Sequence, residues 1–197
     1  MKKVAIFASG AGTNAENIIK YFIDSKDVGV ALVVSNKVDA GVHSRVAKYG
    51  IPSLTFTRKE FNEGNEILKN LVKFDVDYIV LAGFLLKIPR VLIAAFPDRI
   101  VNIHPALLPK FGGKGMYGHH VHEAVVAAGE KESGITIHYV NENYDEGQII
   151  FQTKFPVLQT DTVEDVEQKI HRLEYKHFPE IIEKLLVSEN FVHLQLN

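Results

Sequence analysis

"VAIFASGAGTNAENIIKYFIDSKDVGVALVVS", residues Val4 to Ser35, decides the fold. Val4–Ala8 is a short apolar run cut off by a glycine-rich turn, the pattern of a buried strand. Asn14–Asp24 places Ile18, Ile19, Phe22 and Ile23 at helical spacing, and Val28–Ser35 returns to a β-rich run. Strand, helix, strand in that order needs a crossover, and a crossover helix implies a parallel pair of strands.

The unit repeats outward. Gly41–Tyr49 reads as a helix, Ser53–Phe56 as a weak third strand, and Glu60–Phe74 as a helix with Phe61, Ile67, Leu68, Leu71 and Val72 on one face. Tyr78–Ala82 is a fourth strand, Pro89 opens a short helix through Phe96, and Ile100–His104 is a fifth strand. The expectation is a mostly parallel sheet with helices on both faces. After Gly113 the texture changes. His119–Ala128 reads as a helix, and Ile135–Val140 and Ile149–Phe155 as strands joined by "NENYDEG", an antiparallel extension. Asp161–Ser188 is a long helical stretch, with Asp161 as N-cap and Glu164 three residues on. Pro179 is expected to break or kink it. Phe191–Leu196 suggests a last short strand. The fold class is therefore α/β and Rossmann-like, in three layers. A single domain is expected over 1–197, with a phosphate-binding half (1–99) and a catalytic half (100–197).

Composition narrows the function. The chain has 197 residues, 46% apolar and 23% charged, ordinary values for one domain with a sizeable core. A net charge of −2, with no block of one sign, is not the footprint of a nucleic-acid binder. No cysteine is present, which excludes disulfides and thiolate chemistry. "MKKVAIFASGAG" resembles a signal peptide only superficially, since Val4–Ala8 is too short. No apolar run approaches the roughly 20 residues that span a bilayer. A cytoplasmic protein without a membrane partner is expected.

Ligands of open α/β sheets lie beyond the carboxyl ends of the strands. That rule selects Ser9–Asn14, Ser35–Lys37, Gly83–Lys87 and Asn102–Pro105. In "SGAGTNA", Gly10, Gly12 and Ala15 satisfy G-x-G-x-x-A, and a helix N-terminus follows to face an anion. A nicotinamide dinucleotide also wants an acid at the end of the second strand. Ser35-Asn36-Lys37 stands there instead, so phosphate binding is favoured over that cofactor and over a plain tight turn. His104 ends a strand, shares a face with Asn102 at period two, and is held extended by Pro105. Its protonation range suits catalysis. Asp145 is either a turn aspartate bonding its own backbone or a partner of His104, and spacing alone leaves both open. His119, His120 and His122 lack an H-E-x-x-H pattern or a cysteine partner, so no metal is expected. No G-x-S-x-G elbow is present.

"FASGAGTN", "SNKVDAG", "VLAGFLLKIP", "IVNIHPALLPKFGGKGMYG" and "GITIHYVNENYDEGQIIFQ" follow one another as in a known family. The chain resembles the folate-dependent formyltransferases and, in its full-length match, the phosphoribosylglycinamide formyltransferases of purine biosynthesis. The resemblance implies the formyltransferase fold, 10-formyltetrahydrofolate as co-substrate, and transfer of its formyl group to the amine of glycinamide ribonucleotide. It carries catalysis to Asn102, His104 and Asp145. Gly12, Thr13, Asn14 and Glu174 become substrate-binding. Phe84, Leu85, Leu86, Lys87 and Ile88, with Asn141, Glu142, Asn143 and Tyr144, become the folate pocket, and Thr136 a supporting hydroxyl. A homodimer is left open. Leu85-Leu86 replaces a commoner Met-Arg, Gly64 falls near a frequent arginine, Gln148 replaces a frequent proline, and the "GGKGMYGHH" loop is long.

Formyl transfer to an amine passes through a tetrahedral oxyanion, and the substrate supplies the nucleophile. The protein must align two reactants, an effect of about 7–11 kcal/mol at best. It must also offer donors to the oxyanion, which Asn102 and His104 can do. Asp145 is expected to raise the pKa of His104 and keep it charged near neutral pH. The Pro105–Pro109 segment is expected to hold the donors still. The alternatives are a formyltetrahydrofolate hydrolase, which usually carries an extra N-terminal domain where Met1 here leads straight into a strand, and a non-catalytic nucleotide- or folate-binding module. A methionyl-tRNA formyltransferase is expected to need a further C-terminal domain.

Overall fold

The computed structural model describes residues 1–187. In chain order the elements are β1 (Lys2–Phe7), α1 (Thr13–Phe22), β2 (Val28–Ser35), α2 (Gly41–Ala47), β3 (Ser53–Thr55), α3 (Arg58–Glu63) and α4 (Asn65–Lys73). They continue with β4 (Tyr78–Leu81), α5 (Arg90–Ala95), β5 (Ile100–His104), α6 (His119–Ala127), β6 (Glu132–Tyr139), β7 (Ile149–Pro156) and α7 (Val163–Val187). The strands form one sheet in the order β3-β2-β1-β4-β5-β6-β7. Strands β1 to β5 pair in parallel, and β5–β6 and β6–β7 pair antiparallel. The expected antiparallel extension is present.

The unbroken apolar run of β1 follows from burial on both faces. Val4 and Ile6 face one core with Ile18, Phe22 and Phe178, while Ala5 and Phe7 face the other with Phe61, Leu71 and Leu92. Period two sends alternate residues into opposite layers, so both must be apolar. No described helix is long and apolar enough to cross a membrane.

Three expectations are corrected. The helix expected over Glu60–Phe74 is two helices broken at Gly64, which has φ 71° and gives its N–H to the Glu60 carbonyl. A Cβ there would stand 2.3 Å from Val91 Cγ1, so a glycine must end α3. The N-cap of α7 is Thr162 and not Asp161. Thr162 Oγ1 accepts from Asp165 N at 3.1 Å, and the Asp165 carboxylate accepts from Thr162 N at 2.9 Å. Asp161 instead accepts from Leu158 N and Lys169. Of the break or kink expected at Pro179, the break does not occur, since α7 runs on to Val187. The proline removes the donor that would serve the Tyr175 carbonyl. Asn17 Nδ2 on α1 donates to that carbonyl at 2.8 Å, replacing the lost bond from outside the helix. The strand expected at Phe191–Leu196, and the Ser188 end of the long helix, lie outside the described residues.

Candidate active site

Strand order reverses between β1 and β4, so the loops that leave them part and open a crevice. Ser9 ties the two sides together. Its N–H donates to the Gly83 carbonyl at 3.0 Å, its Oγ donates to Asn36 Oδ1 at 2.6 Å, and it accepts from Leu85 N at 3.0 Å. Gly12 then turns left-handed (φ 75°) into α1, and a Cβ there would lie 2.5 Å from Val42 Cγ2. Among the described residues no side chain caps α1, which leaves its first N–H groups open to an anion. Behind the turn, Arg45 Nε donates to the Ala11 carbonyl at 2.9 Å and Nη1 pairs with the buried Glu16. Lys48, Arg45 and Tyr49 together hold Glu16 well below the usual carboxylate range.

The crevice widens into a cavity of about 600 Å³. Gly12, Thr13, Asn14, Lys37 and Arg58 line one end, and Asn102, His104, Asp145, Phe84, Leu85 and Tyr144 line another. Glu174 lines a third side, where it accepts from Asn14 Nδ2 at 2.9 Å. Leu86, Lys87, Ile88, Asn141, Glu142 and Asn143 are outside the lining. Ile88 is core, Glu142 pairs with Arg90, Asn141 accepts from Asn143 N, and Lys87 stands over the Tyr144 ring. Of the expected folate-binding residues, Phe84, Leu85 and Tyr144 therefore reach the cavity. Leu85 and Tyr144 are exposed and Phe84 is half-buried, and their apolar surfaces suit a flat heteroaromatic ring, with the β4 loop backbone beside them.

The three expected catalytic residues line the same cavity, and two of them face each other. His104 Nδ1 lies 3.6 Å from Asp145 Oδ2. Its Nε2 stands 2.8 Å from the Phe111 carbonyl, an oxygen that only accepts, so Nε2 carries a proton. A neutral His104 thus keeps an unprotonated Nδ1 on the Asp145 side. Asp145 is left-handed (φ 55°), accepts from Gly113 N at 2.9 Å, and lies 3.6 Å from His138 Nε2. Gly147 fixes this turn, because a Cβ would meet the Tyr139 carbonyl at 1.6 Å. Asp145 and Gly147 are therefore coupled through the approach of this loop to β6.

Thr136 is fully buried and outside the cavity. Its hydroxyl donates to the Ala106 carbonyl at 2.6 Å and accepts from Leu108 N at 3.0 Å. Gln152 Nε2 donates to the same hydroxyl at 2.9 Å. Thr136 thereby pins the Pro105–Pro109 segment, a supporting role.

His138 is a residue the sequence reading missed. Its Nδ1 is 2.8 Å from the Tyr139 carbonyl and so carries the proton. Nε2 is then an acceptor, and it takes one N–H of Asn102 at 3.0 Å. The other N–H of Asn102 has no partner among the described residues. The signal was available, since His138 follows Thr136 at period two on β6, opposite Asn102.

One electrostatic expectation is corrected. His104 titrates below the usual histidine range, because burial opposes its charge more than Asp145 and the Phe111 carbonyl favour it. Burial also pushes Asp145 up, but the Gly113 N–H, and the charge that His138 and His104 carry when protonated, outweigh it, and the carboxyl sits below its usual range. His104 is therefore neutral at pH 7, with a carboxylate waiting beside it. Among the described residues no group of His, Asp or Glu is arranged to hold a metal ion.

The sequence profile of the formyl transferase family matches residues 2–182. The chain belongs to the formyl transferase family. Within that family it is similar to the phosphoribosylglycinamide formyltransferase of Bacillus subtilis, at 39% identity over 96% of this chain and 97% of the relative. It is 44% identical to the chloroplastic phosphoribosylglycinamide formyltransferase of Arabidopsis thaliana over 92% of this chain. It spans about three-fifths of that relative's length (64%). The crystal structure of phosphoribosylglycinamide formyltransferase from Bacillus halodurans superposes with a TM-score of 0.87 at 37% identity, covering 98% of this chain and all of that one. The seven-stranded mostly parallel sheet is thus the formyl transferase fold.

Proposed function

We propose that this formyl transferase moves a formyl group from 10-formyltetrahydrofolate to the amine of glycinamide ribonucleotide, the reaction named for its relatives. The observation that carries the reading is one cavity with two ends: an uncapped helix N-terminus and the Asn102–His104–Asp145 cluster. The phosphate sits on the N–H groups of Thr13 and Asn14, with Lys37 and Arg58 adding positive charge. The folate ring lies against Phe84, Leu85 and Tyr144, and it supplies the formyl carbon. The first half of the chain holds the phosphate and the second half carries the chemistry.

Aligning amine and formyl carbon is the first contribution of the protein. As the amine attacks, the carbonyl oxygen becomes negative, and the free N–H of Asn102 stabilises it. The amine must also lose a proton. Neutral His104 can accept it at Nδ1, and the imidazolium so formed donates to two acceptors already in place, Asp145 and the Phe111 carbonyl. His104 then returns the proton to the departing folate nitrogen. The cycle ends with formylated amine and tetrahydrofolate, with no net proton change on the enzyme.

Formyl transfer is measured with the ribonucleotide present and absent. Formylated product only when it is present is the expected result. Formate released without it indicates a hydrolase. Binding of both ligands with no turnover indicates a binding module.

A further inference from the structure

His122 is a buried imidazole with no partner among the described residues. It lies on α6, is 2% exposed, and lines the cavity. Neither ring nitrogen has a hydrogen-bond or ion-pair partner among the described residues, and Nδ1 is sealed from solvent. Its neighbours on the same wall are all engaged. Glu174 takes Asn14 and His171, and His171 stacks on Tyr175. His119, one helical turn away, faces Glu123 and Glu167. A buried polar group without a partner costs stability, and an apolar side chain would fill the position without that cost. The sealed Nδ1 leaves Nε2 as the nitrogen that can reach the cavity.

The polarity of the cavity says what that nitrogen meets. Lys37, Arg58 and the start of α1 form the end suited to an anion. The α6–α7 wall carries Glu167, His171, Glu174 and His122, and its acids repel a phosphate. Groups that both donate and accept suit it, and sugar hydroxyls are such groups. Between a phosphate at Thr13 and a reacting amine at His104, the part of a ribonucleotide left to face this wall is the ribose.

We propose that His122 is a specificity-determining residue whose Nε2 hydrogen-bonds a ribose hydroxyl of the nucleotide substrate. The inference rests on the cavity being a ribonucleotide site. It adds a residue that selects ribose over deoxyribose. His122 takes no part in formyl transfer itself.

The test uses sugar phosphates, so it does not depend on turnover. Ribose 5-phosphate and its 2-deoxy and 3-deoxy analogues are titrated calorimetrically into wild type, His122→Leu and His122→Gln. Wild type is expected to prefer ribose 5-phosphate over one of the deoxy sugars. His122→Leu should weaken ribose 5-phosphate by about 3- to 10-fold and remove that preference. His122→Gln should restore part of it. Should His122→Leu fail to fold, His122→Phe keeps a ring without nitrogens and carries the same comparison. A merely structural His122 shifts Tm and leaves the preference intact, which overturns the proposal. Unchanged ribose 5-phosphate affinity in His122→Leu also overturns it. If wild type binds no sugar phosphate, the ribonucleotide reading fails with it. If wild type binds but transfers no formyl group, only the catalytic reading fails.

Discussion

His104 sets the pH behaviour of the site, and the sign follows from its burial. In the folded chain it titrates below its ordinary value of about 6.5. As pH drops below about 6.5 the unfolded chain takes up this proton and the folded chain does not, so stability falls until the lowered value is passed. Asp145 works in the same direction at lower pH: its lowered folded value gives stability above about 3.9 that is lost as pH falls through that folded value. Replacing His104 with Gln should make the loss of stability between pH 7 and 5.5 shallower, read by urea unfolding. A loss as steep as in wild type means that burial of this ring is not the cause. The proposed proton transfer needs Nδ1 unprotonated, so the rate should decline at low pH through the same lowered value. The Asp145→Asn variant removes a charge that raises His104, and the acid limb should move to still lower pH. At the plateau, the lost support for the imidazolium should cost on the order of 100- to 10,000-fold in kcat. A pH–rate profile in which the limb stays put or moves up is incompatible with this pairing.

Elements succeed here where a neighbour repairs what one sequence segment lacks. Within α7, Pro179 leaves the Tyr175 carbonyl without its helical donor, and Asn17 of α1 supplies one. Asn17→Ala should therefore cost about 0.5–1.5 kcal/mol, a fall in Tm of roughly 1–6 °C for a chain of this size. In a Pro179→Ala background the amide of residue 179 serves that carbonyl, so the cost of Asn17→Ala should shrink in a double-mutant cycle. Equal costs in both backgrounds would show that the side-chain bond does not act through the proline. This repair also marks where the sequence stopped being legible. Strands β2 and β5 and the hairpin extension could be read from period and composition, because those signals are local. The continuity of α7 through Pro179 depends on a residue on another helix. The break at Gly64 depends on Val91 across space. The site divides in the same way. Asn102 and His104 were legible at one strand end. Their link to Asp145 came from resemblance, and His138 and His122 gain their meaning only from what surrounds them.

For the whole molecule, local charge decides binding more than net charge does. The chain carries a net charge of −2, yet the end of its cavity proposed for the phosphate is lined by Lys37, Arg58 and a helix start with no side-chain cap among the described residues. The cavity also draws on the loops after β1, β4 and β5 and on α6 and α7, so a bound nucleotide bridges both halves of the chain. The halves are already joined, since β4 pairs with β5 in the centre of the sheet. A ligand that binds only the folded chain stabilises it by about 2.7 kcal/mol at 100 times its Kd. For a chain of this length that corresponds to a rise in Tm of roughly 5–11 °C. Scanning calorimetry should show one unfolding transition without nucleotide, displaced as one with it. Residues 1–99 and 100–197 then unfold together, and the phosphate and catalytic halves are parts of one cooperative unit. Two transitions, with nucleotide raising the first and not the second, would mean that the ligand is held by the phosphate half alone. The α6–α7 wall would then contribute nothing to its binding.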